Sequence, residues 1–172
     1  MIRSPRIRAI LLCVASLGFV LSTACVAPSK KGWAGSFSEE QRTAVFRELT
    51  AEASQSLISL SEIFYERIAS RRFNSRAAFE DPSMRQFFPT VAAYSDYYAA
   101  LVDALDRANI RFNRPTEIEL LGIEADPDGS IRLSLRFIGR NDLPLRWWNA
   151  ILLRTDVWRW QEGRWWVVPG KV

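Results

Sequence analysis

The chain has 172 residues, of which 48% are hydrophobic and 24% charged, a composition typical of a folded protein with one domain-sized core. Its formal charge of +4 includes three arginines near the N-terminus, so residues 25–172 hold 20 basic against 19 acidic residues. That balance excludes the basic footprint of a nucleic-acid-binding protein. There is no histidine and no Gly-rich phosphate loop or metal-spaced cluster, so we expect neither a metal nor a cofactor.

The first 24 residues have the layout of an export signal. A short cationic segment is followed by an apolar run over residues 9–21 and then by small residues up to Ala24. Cys25 comes directly after them, and this ending resembles the lipobox of bacterial lipoproteins. The resemblance implies that residues 1–24 are cleaved as a signal peptide and that Cys25 becomes the lipidated N-terminus.

Two other interpretations of the N-terminus stay open. Ordinary cleavage after Ala24 or Ala27 would release a soluble secreted protein, and the 19 uncharged residues 9–27 would be just long enough for a transmembrane helix. The lipoprotein resemblance implies a lipid-anchored, periplasm-facing protein of the bacterial cell envelope. Because Val26 replaces the Asp typical of enterobacterial inner-membrane lipoproteins, the outer membrane is favoured over the inner. Residues 25–36, which contain Pro, Gly, Ser and Lys, are predicted to form a tether.

Residues 37–172 are predicted to form a single α+β domain that begins with helices. After capping-box patterns at Ser36 and Ser38, apolar residues recur every three or four positions from Phe46 to Ile68. This pattern predicts one long helix of about 30 residues, with a break expected near residues 54–56 because helices are usually shorter.

Three further helix starts are marked by capping residues. Asn74 or Ser75 can cap a short turn, Asp81 stands before a first-turn proline, and Thr90 can cap a longer helix. This last helix has an apolar stripe from which Tyr97 is absent, composed of Val91, Tyr94, Tyr98, Leu101 and Leu105.

From Thr116 onward the apolar period changes to two, which predicts antiparallel strands with one buried face. The phase slips at residues 120–122, as it does at a β-bulge, and residues 126–129 have strong turn chemistry. Residues 145–168 are predicted to form a tryptophan-rich ribbon of two strands joined across residues 161–163. Six of the seven tryptophans lie in this ribbon.

Alternation divides the first ribbon strand into two faces. We expect the residues with the parity of Trp147, Asn149 and Thr155 to face inward. We expect Asp156 on the outer face, in an ion pair with Arg154 or Arg146. The tryptophans expected on that outer face are Trp148, Trp158, Trp160 and Trp166.

The order of helices and bulged sheet resembles the nuclear transport factor 2-like (SnoaL-like) superfamily, in which a curved antiparallel sheet wraps around a long first helix. The resemblance is carried by residues 68–73 at the end of the first helix, by the Asp81-Pro82 turn and by residues 158–167. It implies a cone-like α+β fold over residues 37–169, with N-terminal helices packed on the curved sheet. It also implies a pocket lined by sheet and helix side chains.

The expected function is that of a non-enzymatic envelope lipoprotein with a binding or scaffold role through the Trp-rich sheet. Its expected partners are the membrane, through lipid on Cys25, and a second copy or another envelope protein. The alternative is a carrier or sensor of a small apolar ligand in the cone, with Tyr98, Trp147, Asn149 and Thr155 as the binding residues. A third interpretation is a SnoaL-like enzyme, for which Asp156 and Tyr98 are the nearest candidates.

Overall fold

The computed structural model describes residues 43, 46, 47, 49–69 and 71–170. The predicted signal peptide, Cys25 and the predicted tether lie outside the described residues. From Ala51 onward, the described residues form two helices of three turns or more, two short helices and four strands. Their bounds are α1 Ala51–Ala69, α2 Arg76–Phe79, α3 Pro82–Arg85, α4 Val91–Arg107, β1 Ile110–Ala125, β2 Ser130–Asn141, β3 Asn149–Gln161 and β4 Arg164–Val168.

Helix α1 begins where Thr50 caps it. The backbone N–H of Ala53 donates to the Thr50 hydroxyl at 3.2 Å, and the chain is not helical at residues 49–50. The prediction of a break near residues 54–56 was therefore wrong by about one turn. Ser54 and Ser56 stay inside the helix because their hydroxyls donate to backbone carbonyls of the preceding turn, at 3.0 and 2.8 Å.

The capping boxes predicted at Ser36 and Ser38 lie outside the described residues. The caps predicted for the three later helices are confirmed, with Ser75 and not Asn74 as the cap of α2. Ser75, Asp81 and Thr90 each accept a hydrogen bond from a backbone N–H of the first turn that follows, at 3.2, 2.9 and 3.1 Å. Each cap stabilises its helix by roughly 1 kcal/mol, because it satisfies an N–H that has no partner within the helix. Local capping chemistry is thus sufficient to place the starts of α2, α3 and α4.

The strands form one antiparallel sheet in the order β1-β2-β3-β4, curled into a half-barrel. The predicted bulge is confirmed: Leu120 and Gly122 pair with consecutive residues of β2, which leaves Leu121 without a partner. The extra residue lets Leu120 and Ile123 both face the interior while Leu121 is half exposed. The architecture is therefore α+β, with helices preceding a curled antiparallel sheet, as the sequence predicted.

An aromatic core lies between the helices and the sheet. The ring of Phe64 in α1 makes edge contacts with Phe87 and Trp158, at centroid distances of 5.0 and 5.5 Å, and Tyr97 of α4 lies 5.6 Å away. Tyr97 is fully buried, so its predicted position outside the helix stripe was wrong. The indole of Trp165 donates to the Ala53 carbonyl at 2.9 Å and ties β4 to the first turn of α1.

Candidate functional site

The two faces of β3 are the reverse of the prediction. Asp156 and Trp158 are buried, whereas Ile151 and Leu153 face solvent. The prediction was wrong because both parities of β3 carry apolar residues, so alternation alone does not choose between them. Trp158 points inward against Phe64, and burying a large indole ring removes more apolar surface from water than burying a leucine does.

The structure does not bring the four predicted ligand-binding residues into one site. Asn149 and Thr155 are exposed on the outer face of β3, and Trp147 precedes the strand with 91% of its surface exposed. Tyr98 is partly buried on α4, where its hydroxyl donates to the Ser75 carbonyl at 3.1 Å and its ring stacks on Phe73. The expectation that Trp147, Asn149 and Thr155 line the interior was therefore wrong.

The predicted outer tryptophans separate into two groups. Trp158 is buried, and Trp160 has the same inward parity and packs edge-on against Trp165 at 5.4 Å. Trp166 lies on the outer face as predicted, with the Arg164 guanidinium 3.9 Å from its ring, and Trp148 is half exposed. Most of the tryptophan surface in the ribbon thus contributes to the core, and a different set of side chains forms the exposed apolar surface.

That exposed surface consists of the loop before β3 and the outer face of its first half. Trp147 and Trp148 contact each other edge-on at 5.9 Å, and Leu153 is 67% exposed. A monomeric soluble protein rarely leaves adjacent large apolar side chains in water unless they serve an interaction. We name this group the β3 surface; its members are Leu145, Trp147, Trp148, Ile151 and Leu153.

The first half of β3 has a backbone edge to which no described strand is paired. Strand β4 pairs only with residues 157–161 of β3, while β2 pairs with the other edge along residues 149–159. Within the described part of the chain, no strand pairs with residues 149–156 on the side away from β2. An unpaired strand edge presents a row of N–H and C=O groups that can accept a further strand. We name this segment the β3 edge.

A buried polar cluster lies on the opposite face of the same strand. Asp156 accepts hydrogen bonds through one carboxylate oxygen from the hydroxyls of Tyr65 and Tyr97, at 2.8 and 2.7 Å, and through the other from Arg154 Nε at 2.6 Å. The indole N–H of Trp158 donates to the Tyr65 hydroxyl at 3.3 Å. The predicted ion pair of Asp156 with Arg154 is confirmed, but it lies in the interior and not on the outer face.

The environment of this cluster fixes its protonation. Burial, followed by the charge of Asp156, raises the pKa of both Tyr65 and Tyr97 well above the ordinary value of 10.0, so both phenols stay protonated and donate. Burial alone would lower the pKa of Arg154, but the charges around it, that of Asp156 first, raise the pKa overall. The guanidinium therefore stays charged, and it also covers the Tyr97 ring at 4.9 Å.

This arrangement favours a structural role for Asp156 over a catalytic one. A general base needs a lone pair within reach of a substrate proton, but Asp156 is buried and both of its oxygens accept hydrogen bonds from neighbouring side chains. Sequence reasoning missed Tyr65 and Tyr97 because each lies next to a residue of the predicted apolar stripe of its helix. The available signal was the alternation of Arg154, Asp156 and Trp158, which places a charged pair on the same face as a large indole.

Among the described residues, no three His, Cys, Asp or Glu side chains lie close enough together to hold a metal ion. No described helix is both long and apolar enough to cross a membrane. The chain matches no protein-family model, no curated protein and no solved structure. The similarity to the nuclear transport factor 2-like superfamily and to bacterial lipoproteins therefore remains a prediction from the sequence.

Proposed function

We propose that this protein is a non-enzymatic, lipid-anchored binding protein of the bacterial cell envelope that holds another protein chain at the β3 surface and the β3 edge. The observation that supports the proposal is the coincidence of the two features on one segment. The large exposed apolar side chains lie on the first half of β3 and in the loop just before it, and in the described residues no strand pairs with the edge of that half-strand that faces away from β2.

Each feature would supply a different part of the binding energy. Burying a side chain as large as Trp147, about 200 Å², would contribute up to ~5 kcal/mol before the costs of association are subtracted. Trp147 is thus suited to be a binding hot spot. Backbone hydrogen bonds to the β3 edge would fix the direction and register of an added strand.

The first occupant that we propose is a second copy of this chain. Two copies related by a two-fold axis would pair their β3 edges antiparallel, and the interface would use the same residues from both copies. The outward side chains of the edge segment are Asn149, Ile151, Leu153 and Thr155, none of which is charged. Self-pairing would therefore bring apolar side chains opposite one another without placing like charges together.

Photo-crosslinking in the intact bacterial cell tests this binding role. The full chain would carry a benzophenone amino acid in place of Trp147, and the matched control would carry it in place of Val91, an exposed apolar residue of α4. We expect a crosslinked band at twice the mass of the chain from position 147 and none from position 91. A discrete band at another mass would show that the partner is a different protein and not a second copy. The absence of any band specific to position 147 would contradict the binding proposal.

The membrane anchor needs a separate experiment because Cys25 lies outside the described residues. Cells that produce the full chain would be grown with labelled palmitate, and the label should enter the wild-type chain but not a Cys25→Ser variant. A label that persists in the variant, or never enters the wild type, would contradict the lipid anchor. Fractionation after a carbonate wash would then distinguish a secreted protein from one held by a transmembrane helix.

A further inference from the structure

A basic cleft lies at the end of the sheet where β1 begins and β2 ends. It has a volume of about 590 Å³, which is within the range of sites for small ligands. Its lining brings together the C-terminal end of α1, the first residues of β1 and the last residues of β2. The described residues that line it are Ala69, Arg111, Phe112, Arg114, Thr116 and Arg140.

The arginines of this cleft are incompletely neutralised. Arg111 is 3.7 Å from Asp142, which is a long ion pair with both side chains exposed. Throughout the residues that the structure describes, neither Arg114 nor Arg140 lies within ion-pair distance of a carboxylate. Most other arginines of the sheet do have such a partner, as Arg132 and Arg136 illustrate. The cleft therefore concentrates positive charge in a protein domain that is otherwise balanced.

The backbone of the cleft is held in an unusual conformation. Phe112 and Asn113 have φ angles of 58° and 48°, in the left-handed region that bulky residues rarely adopt. The buried Asn113 side chain holds this turn, because its amide donates to the Val102 carbonyl at 2.8 Å and its oxygen accepts from Asn74 at 3.0 Å. As a result the Phe112 ring stands half exposed at the cleft, with the Arg111 guanidinium 4.8 Å from its centre.

Gly139 fixes the spacing of the two strands that form the cleft wall. A Cβ at this position would lie 2.6 Å from the side chain of Ile110 and 3.3 Å from the Arg114 carbonyl. Only glycine permits this close approach without a shift of the first residues of β1. The backbone that carries Arg114 is thus packed directly against the strand that carries Arg140.

We propose that this cleft binds a phosphate group, held by Arg111, Arg114 and Arg140, with Phe112 available to an apolar part of the same ligand. Arginine suits this role because its planar fork of N–H donors matches the oxygens of a phosphate. The C-terminal end of α1 at the rim carries only about half a negative charge, and Asp142 offsets one arginine. The remaining positive charge favours an anionic ligand. The inference is independent of the proposed function, because it uses neither the β3 surface nor the β3 edge.

Isothermal titration of the full chain in a non-ionic detergent tests this site with two probes. Inorganic phosphate tests the shared chemistry, and dihexanoyl phosphatidylglycerol tests a lipid headgroup, with dihexanoyl phosphatidylcholine as its zwitterionic counterpart. The variants are Arg114→Gln and Arg140→Gln, which remove a charge from the cleft without breaking an ion pair of the described residues. The control is Arg159→Gln, which removes the same charge near the opposite end of the sheet.

We expect saturable binding of phosphate that weakens about tenfold or more in each cleft variant and is unchanged in Arg159→Gln. Tighter binding of the phosphatidylglycerol probe than of phosphate, again dependent on Arg114, would identify the ligand as a headgroup. Equal or weaker binding would identify a small soluble phosphate compound. Absence of saturable binding by both probes, or an equal loss in the Arg159→Gln control, would overturn the proposal. Circular dichroism of each variant would verify that the chain is folded.

Discussion

The two faces of β3 place polar and apolar side chains in the opposite way to what is usual, with charged groups buried on the inner face and apolar groups exposed on the outer face. The inner face buries a charged pair, Arg154 and Asp156, and satisfies Asp156 with two tyrosine hydroxyls. The outer face leaves Ile151 and Leu153 in water. A buried charge is tolerated only with a full set of partners, whereas an exposed leucine costs the monomer little and offers binding energy to a partner. The inner face therefore serves the stability of the fold, and the outer face is available for recognition.

The largest effect on stability is expected when the hydrogen-bond acceptor at the centre of the buried cluster is removed. Asp156→Ala would remove the carboxylate to which Arg154 and the hydroxyls of Tyr65 and Tyr97 donate. We expect a loss of about 3–5 kcal/mol in the free energy of unfolding, measured by urea denaturation. The control is Asp103→Ala, which removes a carboxylate from an exposed ion pair with Arg107 on α4 and should have little effect. A small loss for Asp156→Ala would show that the cluster is not structural.

Substituting one leucine on each face of the sheet tests the same contrast without changing any charge. Leu135 of β2 is buried on the inner face, and Leu153 of β3 lies on the outer face. Leu135→Ala should lower the free energy of unfolding by about 2–5 kcal/mol, because it leaves a cavity. Leu153→Ala should change it by no more than about 0.5 kcal/mol when unfolding is measured at a dilution that excludes self-association. Equal losses would mean that the outer face is covered in the monomer.

At alkaline pH the tyrosines make the stability of the folded chain depend on pH, because their pKa values differ between the folded and unfolded states. Burial raises the pKa of all four tyrosines, that of Tyr94 to about 12. Their contribution to stability is full below pH 10 and is lost as the pH rises above it, since only the unfolded chain then releases the phenolic protons. Each phenol can contribute a slope of up to about 1.4 kcal/mol per pH unit.

Two measurements report the release of the tyrosine phenolic protons. At pH 10.5, the absorbance at 295 nm should show far less phenolate in the folded protein than in urea, and the free energy of unfolding should fall between pH 10 and 11. The fall should be less steep in Tyr97→Phe, which has one phenol fewer. An equal phenolate signal in the folded and unfolded protein would contradict the closed state of the cluster.

The smallest effect on folding is expected at the most exposed tryptophan. Trp147→Ala should change the free energy of unfolding by less than about 0.5 kcal/mol, because the side chain is 91% exposed and has little packing to lose. The same substitution should weaken any complex formed through the β3 surface. Size-exclusion chromatography of the variant beside Val91→Ala would measure this effect. A stability loss without a change in association would place Trp147 in the fold and not in an interface.

Local chemistry accounts for what could be predicted from the sequence. The caps at Ser75, Asp81 and Thr90 and the bulge at Leu121 depend on a few neighbouring residues. Asp81, Thr90 and the bulge were predicted where they occur, and Ser75 was one of the two caps predicted for α2, with Asn74. The α+β class followed from the change of period after the last helix. These features are decided within a short window of the chain.

The orientation of β3 and the buried cluster could not be predicted in this way. Both parities of β3 are apolar, so its inner face is chosen by contacts with α1, where Phe64 and Tyr65 receive Trp158. Tyr65 and Asp156 are 91 residues apart in the chain, and no local pattern relates them. The exposed Trp147 and the basic cleft likewise depend on which strands end side by side, which is a property of the tertiary structure.

The hydrogen bonds between α1 and the last two strands determine when the core can be completed during synthesis. Trp165 contacts Ala53 across 112 residues of sequence, and Asp156 reaches Tyr65 across 91. The core is therefore incomplete on the ribosome until almost the whole domain has been synthesised, and contacts between such distant residues form slowly. A chain that is exported through a narrow channel must remain unfolded until it has passed. This late closure would give the chain the delay that the predicted export signal requires.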